Sequence, residues 1–283
     1  MKAPSSPSFS QDNRETLNGS RPLRFMVLVS NRLIHKHLKS SNLLSETYSL
    51  LENDVEVQSY LRMSNTMAVK RLGYNDHGPV HSKITSGSAL ELFKLLTTSV
   101  EPTSVMNGIC GYDDARVIVL LGAYLHDIGN AVHRVDHERN GALLASGSLD
   151  RILQQVYYDD LGLAYRVKCE VLHTIFSSDD SVPCLSVEAG TVTVADGTDM
   201  AKGRSRVPYL LGKNDIHSIS SQAIQSVSIE NGDEKPVSIH VSMMNLAGIF
   251  QIEEVVGRKI RSSGIPDLVE VIASMNGKEI KTI

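Results

Sequence analysis

An imidazole and a carboxylate stand side by side as His126-Asp127, directly after the apolar run Leu120-Leu-Gly-Ala-Tyr-Leu125. Both groups ligate divalent cations well, and both are costly to bury without a partner. Candidate partners lie on either side: His77 and His81 upstream, His133, His137, His173 and Asp196 downstream. Six of the ten histidines fall between positions 77 and 173, so one segment concentrates the ligand chemistry. His77 and His81, four residues apart, would project from one helix face, as two ligands or a ligand and a proton donor require. The two oxygens of Asp127 can bridge two ions. Asp196 lies among Val192, Val194 and Ala195, where an unpaired carboxylate is expensive and a cation would remove the cost.

The elements that must position these groups are mostly helical. Leu43, Leu44, Tyr48 and Leu51 recur at helical spacing, and a second helix is expected within 55–72. Ser86–Leu96 reads as a helix facing a core. Ala115–Asp127 is apolar nearly all round and should be the buried central helix, with Gly129 as its stop. Helices are expected at 137–146, 148–163, 165–176 and 191–201. Near 212 the pattern changes. Alternation over 223–230 and 236–243 brackets Asn231-Gly232, a hairpin signature. An amphipathic helix over 250–262 and a strand over 268–273 complete a β-β-α-β order. The expected fold is therefore mainly α, a helical bundle at 23–211 followed by a small α+β module at 212–283. Residues 1–22, rich in Ser, Pro, Asn and Asp, are expected to form a disordered tail.

The order His81, His126-Asp127, Asp196 resembles the HD superfamily of metal-dependent phosphohydrolases. Leu125-His-Asp-Ile-Gly129 is similar to the family's central motif, His137-Glu-Arg-Asn-Gly141 to its His-x3-Gly element, Val171-Leu-His173 to a later histidine of two-metal members, and Val194-Ala-Asp196 to the closing aspartate segment. The resemblance covers roughly residues 75–206. It implies a helical HD bundle, a first metal on His81, His126, Asp127 and Asp196, and a second on Asp127, His137 and His173. It also implies catalytic roles for Asp127 and for His77, which matches the proton-donating histidine of the cyclic-nucleotide phosphodiesterase branch. Two departures stand out: Asn130 replaces a Lys common after Ile-Gly, and a His-His doublet of some members is His173-Thr174 here. The segment beyond the HD core resembles, more loosely, the end of ribonuclease Y, although no RNA-binding KH segment precedes that core.

The chemistry implied is hydrolysis of a phosphate ester, nucleotide-like, by metal-activated water. A mixed His and carboxylate shell suits Mn, Fe, Co, Ni or Zn, with Mg admissible, as one or two ions. Lys202, Arg204 and Arg206 follow Asp196 closely and are candidates for phosphate contact. The other basic run, Arg32 with His35, Lys36, His37 and Lys39, is read as a solvated face, and His133 as an exposed side chain. Competing readings are a single-stranded RNA endonuclease, a di-iron oxygenase and a metal-stabilised binding protein without catalysis.

Composition narrows the classes. Net charge −4 and 5% aromatic residues give no support to a basic coat or a base-stacking surface for nucleic acid. No apolar run approaches the roughly 20 residues that span a bilayer, and the N-terminus lacks the apolar stretch of a secretion signal. Three cysteines without CxxC spacing read as reduced thiols of a cytoplasmic protein. An uncovered strand edge in the C-terminal module would favour a homodimer.

Overall fold

A computed structural model describes residues 26–201, 203–204 and 216–283; the segment expected as a tail lies outside them. The chain is mainly α, with a small α+β module at its C-terminal end. Helices α1 (Ile34–Leu38), α2 (Asn42–Asn53) and α3 (Val55–Asn65) come first. Ser41 caps α2 by accepting from the Leu44 amide, and Asp54 caps α3 by accepting from Val57 at 2.9 Å. A wider, π-type turn over Thr66–Arg71 carries α3 to the loop before α4 (Pro79–Leu96). Proline at the first helical position and an Asp76 turn onto the Gly78 amide start α4 well before Ser86.

The short α5 (Thr103–Met106) leads into α6 (Tyr112–Leu125), which is buried from Val117 to Leu125 and packs against α4, α8 and α9. The expected central helix is therefore present, but Gly129 does not stop it. Gly129 lies in the 3-10 turn Ile128–Ala131, where a Cβ would overlap the His137 carbonyl oxygen and the Gly141 amide. Its task is the close approach of two backbones. Helix α7 (His137–Val156) runs unbroken through the exposed Gly147, so the division expected near 147 is absent. Asp160 starts α8 (Leu161–Phe176) by accepting from Leu163, and Ser186 starts α9 (Val187–Thr198) by accepting from Ala189.

After α10 (Ile216–Gln222) come β2 (Ile224–Asn231), β3 (Val237–Met243), a crossover made of a π-type turn Gln251–Val256 and α11 (Gly257–Ser262), then β4 (Val269–Met275) and β5 (Lys278–Thr282). With β1 the short strand Val27–Leu28, the sheet order is β1-β2-β3-β4-β5, antiparallel except for the parallel pair β3–β4. Both outer strands go beyond the expected module. Strand β1 (Val27–Leu28) comes from the start of the described chain, pairing Val27 with Ile229. Strand β5 follows the two-residue turn Asn276-Gly277, whose φ values of 53° and 75° suit a tight antiparallel hairpin. Asn231-Gly232, read as such a turn, instead opens a longer loop to Val237 with no positive φ. The apolar core runs continuously from α6 through α9 into β2, β3 and β4. The change near 212 is thus one of secondary structure within a shared core.

In the basic run Arg32, His35, Lys36 and Lys39 are exposed, as expected, and only His37 departs from the solvated face. His37 is buried and lies 2.9 Å from the buried carboxylate of Glu91 on α4, which also accepts from Lys36 at 2.8 Å. Among the described residues no helix is long and apolar enough to cross a membrane. The three cysteines are unpaired.

Candidate metal centre

Three buried helices bring the ligand groups together. His81 lies in the first turn of α4, His126-Asp127 at the end of α6, and Asp196 in the last turn of α9. His81 Nε2 is 3.0 Å from Asp196 Oδ1, 3.3 Å from His126 Nε2 and 3.4 Å from Asp127 Oδ2. His126 Nε2 lies 3.5 Å from Asp127 Oδ2 and 3.6 Å from Asp196 Oδ1. Around a cation with bonds of about 2.1 Å, neighbouring ligands are separated by about 3.0 Å in octahedral and about 3.4 Å in tetrahedral geometry. The spacing fits such an ion, and His81, His126 and Asp127 form a buried group that could hold one.

The orientation of the rings strengthens the fit. His81 Nδ1 is tied to Asp199 Oδ2 at 2.7 Å and His126 Nδ1 to the Ala123 carbonyl at 2.9 Å. Each Nδ1–H donates outward, so in the neutral rings each Nε2 turns a lone pair inward, that of His81 facing Arg204 Nη2 at 3.2 Å. Asp127 Oδ2 and Asp196 Oδ1 are buried there with no hydrogen bond directed at them. Two lone pairs and two carboxylate oxygens at these separations repel unless a proton or cation lies among them.

The ionisation of the groups reflects the same crowding. Burial and Arg204 lower the basicity of His81, but the adjacent carboxylates of Asp196 and Asp199 prevail and, with no cation bound, raise its pKa to about 9. Burial alone would raise Asp127; the surrounding His126, His77, His137 and His81 hold it well below the usual carboxylate range. Asp196 is likewise held low against burial, chiefly by Lys259.

His137, at the start of α7, lies 3.4 Å from Asp127 Oδ1, on the far side of that carboxylate from His81 and His126. Its Nδ1 is close to the Arg134 carbonyl and to Glu138, and its Nε2 accepts from Arg134 at 2.9 Å. Asp136 precedes it in the left-handed region, φ 56°. His77 does not share a helix face with His81, since α4 begins only at Pro79; its ring nevertheless sits 5.9 Å from that of His81. His77 Nδ1 is 2.6 Å from the Asn75 carbonyl, and burial pushes the ring's pKa down to about 3. The ring is thus neutral near pH 7 and, with Nδ1 turned to that carbonyl, presents Nε2 as an acceptor.

His173 stands outside the cluster. It lies in the last turn of α8, where Nδ1 meets Ser177 at 3.1 Å and Nε2 accepts from the Leu185 amide at 3.2 Å. Spacing alone could not reveal that α8 aims this turn at the 177–185 loop. His133 is exposed and accepts from the Val135 amide. Arg204 is in place: its guanidinium reaches the Asp199 and Asp76 carbonyls and lies 3.7 Å from Asp196 Oδ1. Lys202 and Arg206 lie outside the described residues.

Four further groups gain a role through the fold. Asn130, where a Lys was common, donates to Asp127 Oδ1 at 3.0 Å and fixes that carboxylate. Arg134 brings the cation that position 130 lacks. Asp199, three residues after Asp196, buttresses His81; its D-x-x-D spacing was a usable signal. Lys259 of α11 lies 2.8 Å from Asp196 Oδ2, and no local pattern announced it. Arg134, Asp199 and Lys259 border a cavity of about 560 Å³ together with His77, His126 and His137.

The chain aligns over 227 residues with the uncharacterized protein MJ1020 of Methanocaldococcus jannaschii, at 48% identity, covering 80% of this chain and 87% of that protein. It belongs to the MJ1020 family. No protein-family model and no solved structure matches the chain. MJ1020 is itself uncharacterized, so the chemistry of this family has to come from the centre.

Proposed function

We propose that the chain is a divalent-metal-dependent phosphohydrolase or phosphodiesterase of the HD type, acting on a small, nucleotide-like phosphate ester. The observation that supports this most is the inward convergence of His81 Nε2, His126 Nε2, Asp127 Oδ2 and Asp196 Oδ1, with both Nδ1 atoms tied off outside. Mixed imidazole and carboxylate donors favour Mn, Fe, Co, Ni or Zn over Mg alone. Such an ion supplies a water of lowered pKa and neutralises phosphoryl charge. Asp127 turns its second oxygen toward His137, but His137 Nε2 accepts from Arg134 and His173 lies elsewhere, so a second ion there would require Arg134 to move aside.

The chain's own residues do the rest. Asn130 and Asp199 keep Asp127 and His81 in one orientation, which avoids reorganisation during reaction. Arg204 and Arg134 offer planar donors to phosphoryl oxygens. His77, neutral with Nε2 free to accept, orients a water or a substrate hydroxyl; a dianionic phosphate alongside would raise its basicity toward a donor role. The cavity volume of about 560 Å³ suits a mononucleotide-sized ligand.

The test is an assay of the purified chain with added Mn²⁺ or Ni²⁺ against p-nitrophenyl phosphate, its bis-ester, cyclic nucleotides, nucleoside mono- to triphosphates and a short RNA. Metal-dependent turnover abolished by Asp127→Ala is expected. Equal activity in both proteins overturns the reading, and a preference for RNA over mononucleotides redirects it to a nuclease.

A further inference from the structure

Deepening the proposed reading, and resting on it, we infer that Lys259 of the C-terminal crossover is an anion-binding residue of the centre, contacting the phosphoryl group of the substrate. The crossover is docked to deliver it. Gly190 and Gly197, seven residues apart on α9, both face this segment: a Cβ on Gly190 would overlap the Ser263 carbonyl, and one on Gly197 would lie 3.1 Å from Val256 Cα. The Cys184 amide donates to the Ser262 carbonyl at 3.1 Å, closing the far end of α11 onto the loop before α9. Two helical turns of glycine spacing thus let the crossover lie directly against the helix that carries Asp196.

Within that docking, Lys259 has donors to spare. An ammonium group has three, and Lys259 Nζ meets Asp196 Oδ2 at 2.8 Å and the Ser178 carbonyl at 3.4 Å. It borders the cavity that His126, Asp127 and Asp196 also line. Asp196 faces Lys259 through one oxygen and, through the other, His81, His126 and Arg204. The cavity is lined by six carboxylates, Asp127, Glu138, Asp180, Asp196, Asp199 and Glu254, and by four cations, Arg134, Arg204, Arg258 and Lys259. One divalent ion would bring this lining to neutrality, so a phosphoryl group would be held by local donors, among them the remaining donor of Lys259. The C-terminal sheet would then hold a substrate-contacting lysine in place through its β3–β4 crossover.

The discriminating experiment uses the full chain loaded with Mn²⁺ and inorganic phosphate as probe, comparing wild type, Lys259→Met and Lys259→Arg by calorimetry. Losing one charge-assisted hydrogen bond should weaken phosphate binding about 10- to 100-fold in Lys259→Met, with partial recovery in Lys259→Arg. Mn²⁺ affinity should stay equal or rise, because a positive charge beside a ligand carboxylate has gone. A fall in Mn²⁺ affinity, or unchanged phosphate affinity, overturns the inference and leaves Lys259 as a counter-ion that merely holds Asp196. Should Lys259→Met fail to fold, Lys259→Gln is read by the same two constants. The two proposals separate cleanly. Wild type that binds phosphate through Lys259 but hydrolyses no ester refutes only the catalytic reading. Hydrolysis with phosphate binding indifferent to Lys259 refutes only this one, and wild type binding no phosphate refutes this inference outright.

Discussion

Glu91→Gln removes a charge that the fold holds unprotonated in the interior, and the cost can be worked out as a function of pH. Glu91 lies on α4, ten residues after His81, and its carboxylate faces His37 and Lys36 of α1 at 2.9 and 2.8 Å. Burial pushes its pKa up, but the hydrogen bonds from His37 and Lys36 outweigh burial and bring it from 4.5 down to about 2. That difference corresponds to about 3 kcal/mol at 1.36 kcal/mol per pKa unit. Lys36 is 47% exposed, so solvent screens its share, and about 2 kcal/mol is the better figure. The sign follows from linkage: the folded pKa lies below the unfolded one, so the stabilisation is present above pH 4.5 and fades as pH falls toward 2. Urea unfolding of wild type and Glu91→Gln from pH 6.5 to 3 measures this. The gap between the two should be near 2 kcal/mol at pH 6.5 and shrink steadily below pH 4.5. A gap that is constant with pH, or below about 0.5 kcal/mol throughout, refutes the assignment of a buried ion pair between α1 and α4.

Other outcomes follow from the same contacts. Gly129→Ala should destabilise by at least about 3 kcal/mol and weaken metal binding, because α7 must withdraw from the turn after Asp127; thermal unfolding and Mn²⁺ titration read both effects. Asp199→Asn should leave the fold intact yet cost about 10- to 100-fold in metal affinity, since His81 loses the carboxylate that orients it; unchanged affinity in titration would contradict that role. His173→Ala should leave metal content per chain unchanged, as measured by elemental analysis, because its ring nitrogens are engaged with Ser177 and Leu185.

The legible parts of the molecule were those with local causes. The all-round apolar pattern of α6 announced a buried helix, and it emerges with ends only a few residues from those expected. His81, His126, Asp127 and Asp196 were readable because burying such groups demands a partner, and the fold places them within 3.6 Å of one another along the contacts described. His173 misled because helical phase relative to distant elements is a tertiary property; its place in α8 gives no sign that it turns toward Leu185. Lys259 was invisible for the same reason, arriving from α11 across more than sixty residues of sequence. The sheet shows a subtler limit. Two Asn-Gly pairs carry the same hairpin signal, but only Asn276-Gly277 adopts positive φ at both positions, since Pro236 and the intervening charged residues lengthen the other connection. Strand β1, two residues long, has no periodicity to read at all; its pairing with β2 alone defines it.

The central claim, that His81, His126, Asp127 and Asp196 hold a catalytic divalent cation, is tested most directly by Mn²⁺ binding followed through the electron paramagnetic resonance signal of the free ion. Wild type should bind at least one Mn²⁺ per chain, and His126→Ala and Asp127→Asn should each lose at least about 100-fold in affinity while keeping the folded circular dichroism spectrum. Wild-type protein that leaves the free-ion signal undiminished, or variants that bind as tightly as wild type, would contradict it.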